Sequence, residues 1–219
     1  MKPVVIFGLG SYARVAKVYL EKDSPHTVAA FTADTAYIKE NELLGKPVVA
    51  FEQLTTTHPP TAYQLLVAIG ASKMNDNRTR IYQQCKALGY EFITYVNSKA
   101  VMWGEVEIGE NTFIFEQNVI QPFVKIGSNT VLWSGNHIGH DSTIGSNVFI
   151  ASHAVVSGHC VIGDNSFLGV NATLIDGLKI APYTLIGAGA FMTRHTQPNS
   201  AYIGARAELS QRTSQEFNI

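Results

Sequence analysis

The stretch VKIGSNTVLWSGNHIGHDSTIGSNVFI, Val124–Ile150, repeats itself at two lengths. Ile126, Leu132, Ile138, Ile144 and Ile150 fall six residues apart, and the step continues outward in both directions, aliphatic at every position from Met102 to Met192. Aliphatics fill only about a third of average positions, so a run of this length is a designed period. Four residues after the step the side chain is small, as at Thr112, Thr130, Ser142, Ala154, Cys160, Ser166, Ala172 and Ala190. A longer period rides on the first. Ile108-Gly-Glu-Asn111, Ile126-Gly-Ser-Asn129, Ile144-Gly-Ser-Asn147 and Ile162-Gly-Asp-Asn165 recur every eighteen residues.

Three hexapeptides therefore make one coil, each supplying a short strand and a turn, and coils stack at about 4.8 Å like neighbouring strands. The period predicts about five coils between Met102 and Arg194. The aliphatic and small columns face a prism interior, which assigns Cys160 to packing. The glycine and asparagine after each strand are expected at tight corners of positive φ. Flat outer faces are left for a neighbour.

Ahead of the coils the period changes. Strands are predicted at 3–7, 26–32, 46–51, 64–69 and 90–96, with helices from 11 to about 21 and over 77–88. This is a small, parallel, Rossmann-like α/β domain. The expected division is 1–97 for that domain, 98–200 for a parallel β-helix and 201–219 for a tail. Gly8-Leu-Gly-Ser-Tyr-Ala13 fits the GxGxxA fingerprint, with Asp34 where a ribose-binding acid would fall. The domain is about half a dinucleotide fold, which favours a smaller nucleotide over NAD. The glycines let backbone approach phosphate at a helix N-terminus, or they serve packing alone.

With 46% hydrophobic and 15% charged residues the 219-residue chain is globular. A net charge of −1 argues against nucleic acid as partner, and no apolar run reaches the length of a membrane span. The start is too short and too quickly glycine-rich for a signal peptide. Cys85 and Cys160 form no CxxC. These features lead to an expected cytoplasmic location and no metal.

His140-Asp141 interrupts the repeat without any structural need. Both follow inward Ile138 closely, so both project outward, and Gly158 lies one coil above His140. A base and a backbone donor so stacked could flank a thioester carbonyl. The whole pattern resembles the left-handed β-helix acyltransferases with hexapeptide repeats. Within them it resembles the bacterial group of nucleotide-4-aminosugar N-acetyltransferases and sialic-acid O-acetyltransferases. The left hand comes from that resemblance, since crossovers in general favour the right hand. The resemblance implies a homotrimer using acetyl-CoA as cosubstrate and a nucleotide-linked aminosugar as acceptor, for surface polysaccharide such as lipopolysaccharide O-antigen. It implies His140 as general base, Asp141 as the acid that supports it and Gly158 as oxyanion donor. Val170, Gly187 and Ala188 would contact acetyl-CoA. Gly10, Ser11, Tyr12, Asp34 and Gly70 would bind the nucleotide sugar. O-Acetylation of a sialic-acid-type sugar, a metal hydratase and a non-catalytic sugar-binding scaffold are the competing readings. The hydratase needs histidines five residues apart, and His137/His140 and His153/His159 are spaced three and six.

The chain departs from the group's pattern at several positions. Phe149 stands where some members have a second histidine at acetyl-CoA. Trp133 replaces an asparagine, and is expected either to stack on a sugar or base or to pack between subunits. Ala33 precedes Asp34 where a second acid occurs elsewhere, and Gly204-Ala-Arg-Ala207 replaces a glycine-x-proline-alanine close. His137 is open between substrate orientation and a turn; His153 and His159 are expected to be structural or solvent-facing. His195 receives no role. Arg78 is open between a phosphate contact and a solvated helix cap.

Overall fold

The computed structural model describes residues 1–216. The first domain runs β1 (Val4–Phe7), α1 (Ser11–Asp23), β2 (Val28–Ala33), β3 (Glu42–Leu43), β4 (Lys46–Ala50), α2 (Leu54–Thr57), β5 (Gln64–Val67) and α3 (Asp76–Ala87). Its sheet has the order β3-β4-β2-β1-β5, parallel except for the β3-β4 hairpin. The fully buried VVIF of β1 suits a strand covered on both faces. α1 buries Tyr12, Ala13, Ala16 and Leu20, the three-to-four spacing of one helical stripe. The expected strand over 90–96 does not form as one piece. Phe92 makes a single bridge to Leu65, and Tyr95–Val96 already pairs with Phe113–Ile114 of the coils.

From Tyr95 to Tyr202 the chain winds through two-residue strands in three parallel sheets. The six-stranded face runs from Val101–Met102 to Phe191–Met192 and the five-stranded face from Glu107–Ile108 to Lys179–Ile180. The seven-stranded face runs from Tyr95–Val96 to Ala201–Tyr202. Pairing holds strict eighteen-residue register, as Ile126 with Ile144 and Ile144 with Ile162. This is a left-handed parallel β-helix behind an α/β domain. The aliphatic column from Ile114 to Met192 fills the prism, joined by Ala154, Cys160, Ala172 and Ala190. Each fully buried aliphatic side chain stabilises by about 1.5–3 kcal/mol. Met102 and Ile108 depart from the column, one exposed and the other half-buried, because no complete coil lies below them.

The corners correct one expectation. Asn111, Asn129, Asn147 and Asn165 do take positive φ, between 53° and 61°. The glycines before them do not. A Cβ on Gly109 or Gly127 would lie 2.5–2.6 Å from backbone of the next coil, so glycine is required there by close approach and not by torsion.

The two domains are joined by a continuous seam. Tyr12, Tyr19 and Tyr95 pack into Phe113 and Phe115, which project from the seven-stranded face. Trp133 stacks on Phe115 at 4.4 Å and 6°, and Phe149 stacks on Phe167 at 5.6 Å. Both rings are thus taken up within their own chain, which neither expectation for Trp133 named. Arg78 is likewise neither a phosphate contact nor a solvated cap. It is fully buried. Its guanidinium donates to the carbonyls of Asn129, Asn147 and Val148 on the coils and to Asn75 Oδ1. Burial pulls its pKa down to about 10, so it stays charged at neutral pH and its acceptors must carry that charge.

Along the same corner the asparagines form a ladder. Asn111 Nδ2 donates to Asn129 Oδ1 at 2.7 Å, Asn129 to Asn147 at 2.8 Å and Asn147 to Asn165 at 3.2 Å. The α/β domain closes both ends, through the Val67 amide on Asn111 and Thr79 Oγ1 on Asn165.

Candidate functional site

The corner that links the six-stranded to the five-stranded face carries His140, between strands His137–Ile138 and Thr143–Ile144. Asp141 takes φ 56°, the left-handed corner conformation that short polar side chains tolerate. That turn swings the carboxylate back onto its neighbour, and Asp141 Oδ2 lies 2.8 Å from His140 Nδ1. A carboxylate only accepts, so Nδ1 carries a proton, and in the neutral ring Nε2 keeps the lone pair. The His140 amide donates to Gln121 Oε1 at 2.9 Å, which anchors the corner from the coil below.

Gly158 completes the corner one coil higher. A Cβ there would sit 2.9 Å from His140 Cε1 and Nε2, so the imidazole lies directly over the glycine backbone. Among the described residues the Gly158 amide donates to no protein acceptor, whereas its carbonyl accepts from Gly177. A lone pair on exposed His140 and an unpaired N–H on buried Gly158 therefore meet at one corner. His159 belongs here too. Its ring packs edge-on with His140, centroids 4.8 Å apart at 89°, and it is exposed, within the expectation of a structural or solvent-facing residue, although its contact with His140 was not foreseen. The eighteen-residue step from Asp141 to His159 could have revealed it.

Val170, Gly187 and Ala188 form a second group. They lie on consecutive coils at the corner between the seven-stranded and six-stranded faces, Val170 and Ala188 exposed and joined by the Gly189 amide to the Val170 carbonyl at 2.8 Å. Within the chain this group and His140 flank opposite edges of the six-stranded face.

The third group lines a cleft of about 660 Å³ in the α/β domain, which brings Gly10, Ser11, Tyr12, Asp34 and Gly70 together. The fingerprint divides its glycines by task. Gly8 sits at φ +131° with the Ala68 carbonyl 2.6 Å from a would-be Cβ, a packing requirement. Gly10, with Gly70 across the cleft, has nothing within 4 Å of that position and faces open space at the start of α1. Tyr12 contributes to the wall but is mostly buried in the aromatic seam. Tyr37, Asn77 and Arg80 also line the cleft and were not expected. Arg80, two residues beyond the buried Arg78, is the arginine that faces it, hydrogen-bonded to Gln84 at 2.9 Å. No residue of the coils lines this cleft.

The remaining histidines separate. His137 is half-buried between Val119 and Val155 on the six-stranded face, His153 lies against Gly135 on another corner, and His195 Nδ1 accepts from the Lys179 amide.

Residues 123–158 match the family model for bacterial transferase hexapeptide repeats. No curated protein sequence matches the chain. Among solved structures, PerB from Caulobacter crescentus in complex with CoA and GDP-perosamine is 27% identical, with a TM-score of 0.84 over 93% of this chain and 95% of that one. A histidine-to-asparagine variant of perosamine N-acetyltransferase from the same organism, with the same two ligands, is 26% identical. Its TM-score is 0.85 over 97% of this chain and 98% of that one. The acetyltransferase domain of PglB from Neisseria gonorrhoeae shares the fold at 19% identity, TM-score 0.80, over 93% of this chain and 97% of that one.

Proposed function

We propose that this hexapeptide-repeat acyltransferase, a left-handed β-helix enzyme, moves the acetyl group of acetyl-CoA to the amine of a nucleotide-linked 4-amino-4,6-dideoxysugar. The observation that carries the reading is the His140 corner, where Asp141 fixes Nδ1 and leaves Nε2 free above the unpaired Gly158 amide. The full-length likeness to perosamine N-acetyltransferase, which holds CoA and GDP-perosamine, supports the choice of donor and acceptor class.

The acceptor nitrogen attacks as the neutral amine, since an ammonium has no lone pair. His140 Nε2 takes a proton from the sugar nitrogen as that nitrogen bonds to the thioester carbonyl, and the Asp141 carboxylate stabilises the resulting imidazolium. Negative charge grows on the carbonyl oxygen, where the Gly158 N–H is the local donor. The C–S bond then breaks, the amide is complete and the leaving CoA thiolate takes the proton that His140 Nε2 had accepted. Neither free cysteine offers its thiol to this corner, since Cys85 is buried in the α/β domain and Cys160, although it follows His159, is buried inside the prism; transfer is direct.

Val170, Gly187 and Ala188 would line the acetyl-CoA path. Because they and His140 occupy opposite edges of one face, a threefold assembly that sets one protomer's His140 corner against the next protomer's Val170 corner completes the site. The nucleotide would occupy the α/β cleft, its diphosphate toward Gly10 and Ser11 and its ribose toward Asp34. Cytoplasmic synthesis of surface polysaccharide fits such an acceptor, and no helix among the described residues is long and apolar enough to cross a membrane.

The test is thiol release from acetyl-CoA with dTDP-, UDP- and GDP-linked 4-aminosugars. Turnover on one amine, falling by about 10²–10⁴-fold in His140→Asn, is expected. Unchanged turnover in that variant removes the base. Release only with a sialic-acid-type alcohol moves the reading to O-acetylation.

A further inference from the structure

His140, Asp141 and His159 bring one ligand atom each within 4.8 Å of the others, and all three are exposed. Asp141 and His159 take the same corner position on successive coils, each at φ 56°. Gly158 between them has no side chain to fill the space, and Asp176 Oδ1 on the coil above lies 3.3 Å from where its Cβ would be. Two imidazoles and a carboxylate are a zinc donor set, and tetrahedral zinc with bonds of about 2.0–2.2 Å holds its donors roughly 3.4 Å apart. Exposed side chains reach that spacing by small rotamer shifts. The second carboxylate, Asp176, adds negative potential beside the site.

We propose that His140, Asp141 and His159 form a zinc-binding site, with solvent in the fourth position, that inhibits the enzyme. The inhibitory part rests on the acetyl-transfer reading; the binding does not. A neutral imidazole has one lone pair and one N–H, so whichever His140 nitrogen holds the ion, the other keeps the proton. No lone pair then remains to accept a proton from the amine. The ion is here an antagonist of the base and not a cofactor.

The experiment uses the untagged full-length protein with Zn²⁺ in calorimetry and Co²⁺ in visible absorption, where a tetrahedral site gives d–d bands. His159→Asn is the informative variant, because asparagine is at home at a positive-φ corner, and His153→Asn on a different corner is the control. His159→Asn is expected to weaken Zn²⁺ binding by about tenfold or more and to remove the Co²⁺ bands, with His153→Asn unchanged. Equal affinity in His159→Asn, or no Co²⁺ bands in the unaltered protein, overturns the site. In the activity arm, Zn²⁺ suppresses CoA release and chelator restores it. Co²⁺ bands that depend on His159 in a protein with no acetyl transfer would keep the site and sink the functional reading. His140-dependent transfer without Co²⁺ bands would do the reverse.

Discussion

Gly127 in the coils has an ordinary backbone conformation, yet a methyl group on it would lie 2.6 Å from the backbone of Gly145 and Ser146 in the next coil. Gly45, at the β3-β4 hairpin, has φ +73° and nothing within 4 Å. One is constrained by a neighbour eighteen residues away, the other by its own torsion. The α/β half of the chain solves each turn separately, and an error there stays where it is made. The coil half solves one turn repeatedly, and an error is passed to the coil above. Between the halves lies the seam, where Arg78 and the asparagine ladder tie irregular structure to periodic structure.

If the seam governs stability, Arg78→Ala does more damage than a methyl group added to either glycine. It strands carbonyls of two coils, empties a fully buried volume and should cost about 4 kcal/mol in denaturant unfolding. A cost below about 1 kcal/mol would mean that the two halves are stable independently of the clamp. Next comes the glycine contrast itself. Gly127→Ala should cost about 3 kcal/mol through forced separation of coils. Gly45→Ala should cost about 1–2 kcal/mol through torsion alone. Equal costs would erase the distinction between spatial and torsional need.

The smallest effect lies at the lower end of the seam and depends on pH. The Ser98 hydroxyl first, then the Tyr95 hydroxyl and the Ser98 amide, hold the Asp23 carboxyl below its ordinary range. A depressed carboxyl contributes fully above its unfolded value of about 3.9 and loses that contribution as pH falls through the folded value. The urea midpoints of the unaltered protein and Asp23→Asn should therefore differ at pH 7 and converge as the pH falls below the ordinary carboxyl range and through the folded value. A gap that persists at low pH would assign the contact to packing instead of charge.

What could be read from sequence follows the same division. The inward column and the register of its pairing were legible because period alone dictates both. The projection of His140 and its stacking on Gly158 followed from counting, as eighteen residues place one corner over another. His159 was legible by the same count from Asp141, but its contact was not drawn. Arg78 was illegible, since nothing in its own helix distinguishes it from Arg80, and only docking decides which arginine is buried and which faces the cleft. The intrachain packing of Trp133 and Phe149 was not drawn from sequence for a related reason. Their outward direction was legible, but what covers that face is the chain's own first domain. The segment 90–96 read as one strand, although its ends belong to different sheets.

The eighteen-residue closure also makes the prism behave as a counter. Deleting six residues from a lower coil would leave every aliphatic step pointing inward, yet rotate all later corners by one face and carry His140 from the edge it shares with the five-stranded face to a different one. Deleting eighteen would shorten the prism by one storey and rotate nothing. Length in this molecule is therefore a free variable in whole coils only, and the angular position of its chemistry is stored as a remainder.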